Sequence, residues 1–175
     1  MADSIKYIIS DTHFGHSKII KYESRPFKTV EEMTETIVNN INEIVQVHDK
    51  LFWLGDVSFY GKKKTKEIMD SVNCGNNYLI MGNHDTGHSM KWWREVGFAK
   101  VYDHPIIYKD FFILSHDHVF LNDTMPYANF HGHLHSKKLV GDNYINCCVD
   151  VTGFKPLCLR DEIHRITRLS DEAYE

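Results

Sequence analysis

Histidine and acidic side chains recur in this sequence in short motifs that have the spacing of metal ligands. The chain contains 12 histidines in 175 residues, and five of them fall between residues 116 and 135. Histidine is the commonest protein ligand of transition metals, so this clustering indicates a metal site.

Five motifs carry the candidate ligands, and each motif directly follows an apolar segment. In chain order they are Asp11-Thr12-His13, Gly55-Asp56, Gly82-Asn83-His84-Asp85, His116, and Gly132-His133-Leu134-His135. Carboxylate, amide and imidazole groups form a mixed nitrogen and oxygen shell. Such a shell suits Mn, Fe, Zn, Co or Ni better than Ca or Mg.

The apolar segments before the first three motifs predict buried strands at residues 5–9, 51–54 and 78–81. Open α/β sheets place their sites beyond the carboxyl ends of strands, which is where these motifs fall. Residues i and i+2 of extended backbone share a side, so each DxH or HxH pair is expected to converge on one metal region. The three motif glycines are expected to let the backbone turn tightly beside the site.

The remaining elements are predicted from periodicity. Thr29 and Glu32 have capping-box spacing, and the apolar periodicity behind them predicts a helix of about 18 residues. Helices are also predicted at 62–72 and 89–96, the second with core tryptophans Trp92 and Trp93. Short strands follow at 101–102, 106–108, 111–114, 127–130, 144–149 and 157–159, with a hairpin turn around Asp110. Early strand–helix alternation and later strands predict one α/β domain over residues 1–175 with a mixed sheet or a two-layer sandwich.

Charge and cysteine content narrow the function classes. The net charge is −4 and the lysines are scattered, apart from the run Lys62-Lys63-Lys64, which we expect on a solvated helix face. No clear nucleic-acid surface is therefore predicted. No apolar run has the roughly 20 residues that span a bilayer. The absence of CxxC pairs and of an apolar leader predicts reduced thiols and a cytoplasmic protein.

Taken together, the motifs resemble those of the calcineurin-like metallophosphoesterase superfamily, in particular its small single-domain bacterial and phage members. The resemblance extends from residue 5 to about residue 160, and it includes Arg25-Pro26-Phe27, residues 146–150 and Pro156. Ser115 is a departure, because many members have glycine before this histidine. The fold implied by the resemblance is a two-sheet mixed β-sandwich flanked by helices in four layers.

The resemblance also implies roles for the site residues. One divalent metal would be held by Asp11, His13 and His135, and the other by Asn83, His116 and His133. Asp56 would bridge the two metals, His84 would be the proton donor, and Asp85 would orient His84. Manganese is the first choice of metal, with Fe, Zn, Ni or Co as alternatives. The implied reaction is phosphoester hydrolysis by a hydroxide shared between both metals.

The substrate is left open by these motifs, because the same ligands serve several reactions. We favour a small-molecule phosphodiester, such as a nucleotide, since the chain is small. A phosphomonoesterase or protein phosphatase is the alternative within enzymes, and a nuclease has less support. A non-catalytic scaffold on the same fold is the alternative from another class, but retention of His84 argues against it.

Several other residues are candidates near the site. His118 is an alternative ligand to His116, and His131 is expected to support a ligand. His16 would contact phosphate or cap a helix, and Arg25 would either clamp phosphate or form a surface ion pair. Candidates for the rim are Phe59, Tyr60 and the segment 117–130.

Overall fold

The computed structural model describes residues 4–122, 124–125 and 127–172, and side chains up to residue 166. The first sheet contains β1 (Lys6–Ile9), β2 (Lys50–Trp53), β3 (Asn76–Ile80), β4 (Lys100–Tyr102) and β9 (Leu157–Cys158). The second contains β5 (Ile106–Tyr108), β6 (Phe112–Leu114), β7 (Ala128–His131) and β8 (Tyr144–Asn146). The helices are α1 (Ser17–Tyr22), α2 (Val30–Ile44), α3 (Lys62–Ser71), α4 (Met90–Glu95), α5 (Val149–Thr152) and α6 (Leu159–Glu172).

Both sheets are mixed. The first has the strand order β4-β3-β2-β1-β9, in which only the edge strand β9 is antiparallel to its neighbour. The second has the order β5-β6-β7-β8, and only its β5–β6 hairpin is antiparallel. The predicted turn of that hairpin is confirmed, with positive φ at both Lys109 and Asp110, as a tight hairpin turn requires.

The alternation of side chains along β1 shows how the layers pack. Tyr7 and Ile9 belong to the core that the first sheet shares with helices α2, α3 and α4. Ile8 points to the other side and packs in the core between the sheets, with Phe112 and Phe130 of the second sheet. The predicted architecture of two mixed sheets flanked by helices is therefore confirmed.

Helix α2 begins as predicted but is shorter. Thr29 is its N-cap, and its side chain accepts a hydrogen bond from the Glu32 N–H at 3.1 Å. The Glu32 carboxylate accepts from the Lys28 N–H instead of completing the capping box at Thr29. The helix ends at Ile44 because Val45 has extended backbone, which gives 15 residues.

Two predictions near the end of the chain are wrong. The strand predicted over 144–149 ends at Asn146, and Val149 begins α5. Leu159, predicted as the end of a strand, begins α6, a helix that the sequence analysis missed. The buried side chains of Leu159 and Ile166 hold the apolar face of α6 against the core between the sheets.

The two tryptophans lie in α4 as predicted. Trp93 is fully buried and Trp92 packs partly buried against the same core. Among the described residues, no helix is long and apolar enough to cross a membrane.

Candidate metal centre

The predicted ligands lie just beyond the ends of strands in both sheets. Asp11 and His13 follow β1, Asp56 follows β2, Asn83 follows β3, His116 follows β6, and His133 and His135 follow β7. Backbone hydrogen bonds continue past the ends of β1 and β2, from the Asp11 N–H to the Gly55 carbonyl (3.1 Å) and from the His13 N–H to the Asp56 carbonyl (3.0 Å). The loops that carry the candidate ligands are thus held side by side.

Most of these residues have left-handed backbone. The φ angles are 58° at Asp11, 52° at His13, 53° at Asp56, 66° at His133 and 50° at His135. The expectation that the DxH and HxH pairs converge through extended backbone is therefore wrong, because they converge through tight left-handed turns. Positive φ is uncommon in non-glycine residues, costs on the order of 1 kcal/mol or more each, and clusters at functional sites.

Asp11, His13 and His135, the first triad, meet around one carboxylate oxygen. Asp11 Oδ1 is 3.7 Å from His13 Nε2 and 3.8 Å from His135 Nε2. Asp11 Oδ1 and His13 Nε2 are both buried and lack a hydrogen-bond partner. A buried polar atom without a partner is costly, so these two atoms fit ligands that face a bound cation.

The other oxygen of Asp11 is fully engaged by the protein. Asp11 Oδ2 accepts hydrogen bonds from the Ser10 hydroxyl, the His133 N–H (2.9 Å) and the Cys148 thiol (3.2 Å). These contacts fix the carboxylate so that Oδ1 faces the two imidazoles. Neither Ser10 nor Cys148 was predicted for the site, because only the tertiary structure brings them to Asp11.

Asn83, His116 and His133, the second triad, form an equally close group. Asn83 Oδ1 is 2.9 Å from His116 Nε2 and 3.1 Å from His133 Nδ1, and the two ring nitrogens are 3.1 Å apart. Asp117, from the segment 117–130 predicted for the rim, places Oδ1 3.4 Å from His133 Nδ1 at the exposed side of the triad, and with His116 and His133 it forms a group that could hold a metal.

Asp56 lies between the two triads. Its Oδ2 is 3.5 Å from His13 Nε2, and its Oδ1 is 3.6 Å from His116 Nε2. Asp11, Asp56 and His116 also form one of the groups whose ligand atoms all lie within 4.8 Å of one another. One buried carboxylate therefore faces both groups, which is the geometry that a bridging ligand requires.

Hydrogen bonds on the side away from the centre fix the orientation of two histidine rings. His116 Nδ1 is 2.7 Å from the Leu54 carbonyl, so it carries the proton and leaves Nε2 to face the centre. His135 Nδ1 is 2.8 Å from Asp150 Oδ2, which leaves its Nε2 towards Asp11. Metal-binding histidines are commonly held by such carbonyl or carboxylate partners.

The electrostatics favour the metal-binding protonation states of Asp11 and His13, whereas at His135 they favour the protonated ring. Burial alone would raise the pKa of Asp11, but the facing imidazoles of His13, His116 and His135 hold it well below its ordinary value. Burial lowers the pKa of His13, which favours the neutral ring. Burial also lowers the pKa of His135, yet Asp150 and Asp11 outweigh it and raise that pKa overall.

Two motif glycines allow the loops to approach closely. A Cβ on Gly132 would overlap Ser10 Oγ and Asp11 Oδ2, and a Cβ on Gly82 would overlap Asp56 Oδ1. At Gly55 the expected tight turn is present, with φ of 85°, and a Cβ would lie 2.5 Å from the Gly82 nitrogen. Any side chain at these positions would displace a candidate ligand or its loop.

His84 stands at the open side of the centre. Its side chain is 47% exposed, and Nε2 is 3.8 Å from Asp56 Oδ2. Its backbone N–H donates to Asp56 Oδ1 at 3.0 Å, which fixes the residue beside the bridging position. The ring is therefore accessible to a bound molecule while its backbone is held.

The Asp85 carboxylate is hydrogen-bonded to backbone amides and not to the His84 ring, its predicted partner. Its Oδ2 accepts hydrogen bonds from the N–H groups of Asp56 and Gly82, both at 2.8 Å, and its Oδ1 accepts from the Val57 N–H at 3.1 Å. Burial raises the pKa of this carboxyl to about 6, although the amides oppose the shift. Asp85 thus ties the loop after β2 to the loop after β3 and does not orient the His84 ring.

Phe59 forms an aromatic wall at the mouth of the centre. Its ring centroid is 4.3 Å from that of His16, 4.9 Å from that of His84 and 5.3 Å from that of His13, and the residue is 42% exposed. His16 Nδ1 is also 3.1 Å from His13 Nδ1. Tyr60, in contrast, packs against Gly15 and the α2 side of the core.

The structure also shows where the other histidine candidates near the site lie. His116 and not His118 faces the centre, since the exposed His118 ring packs edge-on against His131 at 6.0 Å. His131 is buried and its Nδ1 lies 2.9 Å from the Gly132 carbonyl, so it supports the motif backbone and not a ligand ring.

Arg25 is only 4% exposed, so the predictions of a phosphate clamp and of a surface ion pair are both wrong. Of the predicted rim segment, residues 123 and 126 lie outside the described residues.

Two groups of candidate ligands with a carboxylate between them fit a pair of divalent cations. The donor set is carboxylate, amide oxygen and imidazole, which suits borderline transition metals. The unpartnered Asp11 Oδ1 and His13 Nε2 supply the independent evidence, since both atoms are buried and face the centre. Such an arrangement is suited to binding and polarising an anionic ester.

Comparison with known proteins also indicates a metal-dependent phosphoesterase. The sequence model of the Metallophos family, described as calcineurin-like phosphoesterase, matches residues 7–169. The chain therefore belongs to the calcineurin-like phosphoesterase family, whose members are metal-dependent phosphoester hydrolases. It is also similar to the uncharacterized protein MJ1445 of Methanocaldococcus jannaschii, with 35% identity over 87% of this chain and 86% of that protein.

Solved structures share the fold. A protein of unknown function from Aquifex aeolicus, AQ665, superposes with a TM-score of 0.70 and 26% identity, over 91% of this chain and 97% of that one. The nuclease MPE of Pseudomonas putida superposes with a TM-score of 0.50 and 21% identity, over 74% of this chain and 60% of that one. At 21% identity the second likeness concerns the fold alone.

Proposed function

We propose that this protein is a two-metal phosphodiesterase that hydrolyses small phosphodiesters, such as nucleotides. The observation that carries the proposal is the position of Asp56, whose two oxygens face His13 of the first triad and His116 of the second. The first triad would hold one divalent metal, the second triad the other, and Asp56 would be shared. Mn²⁺ is the metal we propose, because the shell combines oxygen and imidazole donors.

The protein's own groups account for how a substrate would be held. Two divalent cations held by these residues would supply positive charge for the phosphate and would lower the pKa of a water molecule. The buried carboxylates of Asp11 and Asp56 are fixed by hydrogen bonds from the N–H groups of His133 and His84, so they would hold the cations in one place. The ring of Phe59 lies beside that of His84 at the mouth and would contact a substrate bound there.

His84 is the proposed proton donor to the leaving oxygen. Its side chain is 47% exposed, and its ring lies on the same side as the mouth. An imidazole can hold a proton and release it to a leaving oxygen, which is the task of a general acid. Its position is set by the hydrogen bond from its N–H to Asp56 and by the contact with Phe59.

Charge at the mouth favours a diester over a monoester. Asp117 is 69% exposed and lies beside His133, where it adds a negative charge next to the second triad. A phosphodiester carries one negative charge and a monoester close to two at neutral pH, so Asp117 repels the monoester more strongly. The exposed ring of Phe59 provides an apolar surface for the second organic substituent of a diester.

Hydrolysis of bis-(p-nitrophenyl) phosphate and of p-nitrophenyl phosphate tests the proposal. The protein is first stripped of metal by a chelator and then reconstituted with Mn²⁺, with His116→Ala as the matched variant that lacks one ligand. We expect Mn²⁺-dependent turnover that favours the diester and is lost in the variant. A preference for the monoester would contradict the diester assignment and support a phosphatase.

The same assay separates the scaffold alternative. Binding of Mn²⁺ without hydrolysis of either ester or of a panel of cyclic and linear dinucleotides would contradict catalysis. If the linear dinucleotides are cleaved, a short oligonucleotide is tested next, because a nuclease would cleave the oligonucleotide faster than the dinucleotides.

A further inference from the structure

Arg25 is a buried guanidinium whose hydrogen-bonding capacity is fully used. Nε and Nη2 donate to the two carboxylate oxygens of Asp150 at 2.8 and 2.9 Å. Nη2 also donates to the Asp11 carbonyl at 2.8 Å, and Nη1 donates to the Thr12 carbonyl (3.1 Å) and the Met33 sulfur (3.3 Å). Arginine has five N–H donors, and here all five have acceptors, so none is left for a phosphate.

The contacts of Arg25 lead to the first triad. Asp150 Oδ2, which Arg25 holds, is the atom that accepts from His135 Nδ1 at 2.8 Å. The Asp11 carbonyl belongs to a triad residue itself, and Thr12 is the neighbour of His13. Arg25 thus contacts Asp11 directly, contacts the residue before His13, and reaches His135 through Asp150.

The side chains of the second triad are held by other groups. The His116 ring is fixed by the Leu54 carbonyl, and the His133 ring is linked to Asn83 and Asp117, although the His133 backbone N–H donates to Asp11 Oδ2. Among the described residues, no hydrogen bond or ion pair joins Arg25 or Asp150 to Asn83, His116 or His133.

From this asymmetry we infer that Arg25, acting through Asp150, is a positioning residue for the first metal site and not for the second. This inference rests on the proposed two-metal function. The bidentate ion pair holds Asp150 in one orientation, Asp150 holds the His135 ring with Nε2 towards Asp11, and the carbonyl contacts hold the left-handed turn of Asp11. Groups behind a metal ligand of this kind typically contribute about 10- to 100-fold in metal affinity.

Arg25→Lys and Asp150→Asn are the test variants. Lysine keeps the positive charge but loses the planar fork, and asparagine keeps the shape of Asp150 but loses one acceptor. Removing a partner from a buried ion pair is destabilising, so two variants guard against failure of one to fold. Ile68→Ala, a buried core substitution in α3 outside the centre, is the control for general loss of stability.

Single-site backgrounds show which metal is affected. In a His116→Ala background only the first site remains, and in a His135→Ala background only the second. Mn²⁺ affinity of the metal-free protein is measured by the electron paramagnetic resonance signal of free Mn²⁺, with thermal unfolding alongside. We expect either test variant to weaken binding about 10- to 100-fold in the His116→Ala background and to leave it unchanged in the His135→Ala background.

The outcomes separate this inference from the proposed function. Equal weakening in both backgrounds, or weakening matched by Ile68→Ala, would show a general structural role and overturn the inference. Unchanged binding in the His116→Ala background would overturn it as well. A protein without these substitutions that binds fewer than two Mn²⁺ ions would instead overturn the proposed function.

Discussion

At the scale of single residues, the candidate ligands are prepared by hydrogen bonds on the side away from the centre. Ser10, Cys148 and the His133 N–H occupy one oxygen of Asp11, and the Leu54 carbonyl and Asp150 occupy one nitrogen each of His116 and His135. Each ligand therefore presents one defined atom. Asp11 Oδ1 and His13 Nε2 remain buried without a hydrogen-bond partner, as expected for atoms that would face a bound cation.

His84→Ala tests the proton donor. General acid catalysis contributes about 10²- to 10⁴-fold, so turnover of an alkyl or nucleotide diester with a poor leaving group should fall by about that factor. Turnover of bis-(p-nitrophenyl) phosphate should fall much less, because p-nitrophenolate leaves without protonation. Steady-state rates on both substrates, with Mn²⁺ content checked, provide the measurement. Equal losses on both substrates would show that His84 does not donate the proton.

The types and order of the ligands could be predicted from the sequence, but their supports could not. Asp11, Asp56 and His133 are recognisable because each stands in a short motif directly after an apolar segment. Asp150 and Cys148 are more than 100 residues from Asp11 and Arg25 along the chain, so only the fold reveals their contacts. Arg25 was misplaced for the same reason, since sequence alone does not show that a guanidinium is buried.

At the scale of elements, the turns after the strands create the centre. Gly82 and Gly132 have no room for a side chain, because the neighbouring loops approach to within contact distance of the candidate ligands. Asp85 joins two of these loops by accepting three backbone hydrogen bonds. The arrangement of the candidate ligands therefore depends on the close packing of these loops.

Gly132→Ala tests this packing, with Gly87→Ala as the matched control. A Cβ at Gly132 would overlap Ser10 Oγ and Asp11 Oδ2, whereas a Cβ at Gly87 would meet nothing within 4 Å. Overpacking costs about 1–3 kcal/mol, so we expect Mn²⁺ affinity to fall by about 5- to 150-fold in Gly132→Ala. Gly87→Ala should bind Mn²⁺ unchanged. Titration of the metal-free variants measures both, and unchanged binding in Gly132→Ala would contradict the described packing.

The sequence predicts most elements to within a few residues, and the errors have physical causes. Strands 5–9 and 106–108 and helix 62–72 are confirmed because local apolar patterns specify them. The backbone at Asp11 and His133 is left-handed instead of extended, since tertiary contacts there outweigh local preference. Helix α6 was missed although Leu159, Ile163 and Ile166 recur at helical spacing, because Leu159 was assigned to the strand before it.

At the scale of the whole molecule, the sandwich brings the carboxyl ends of strands from both sheets to one edge. The first sheet contributes Asp11, Asp56 and Asn83, and the second contributes His116 and His133. Neither sheet alone holds a complete triad, so the centre depends on the packing of one sheet on the other. That the whole chain forms one domain stays a prediction.

The central claim is that one carboxylate, Asp56, serves two metal ions, and the number of Mn²⁺ ions bound per chain tests it most directly. Metal-free protein and its Asp56→Asn variant are dialysed against the same Mn²⁺ concentration, and the bound metal is measured by elemental analysis. The account predicts two ions per chain before substitution and fewer than two in Asp56→Asn, since the amide loses the charge and one of the two oxygen donors. One ion or none in the unsubstituted protein, or two in Asp56→Asn at unchanged affinity, would contradict it.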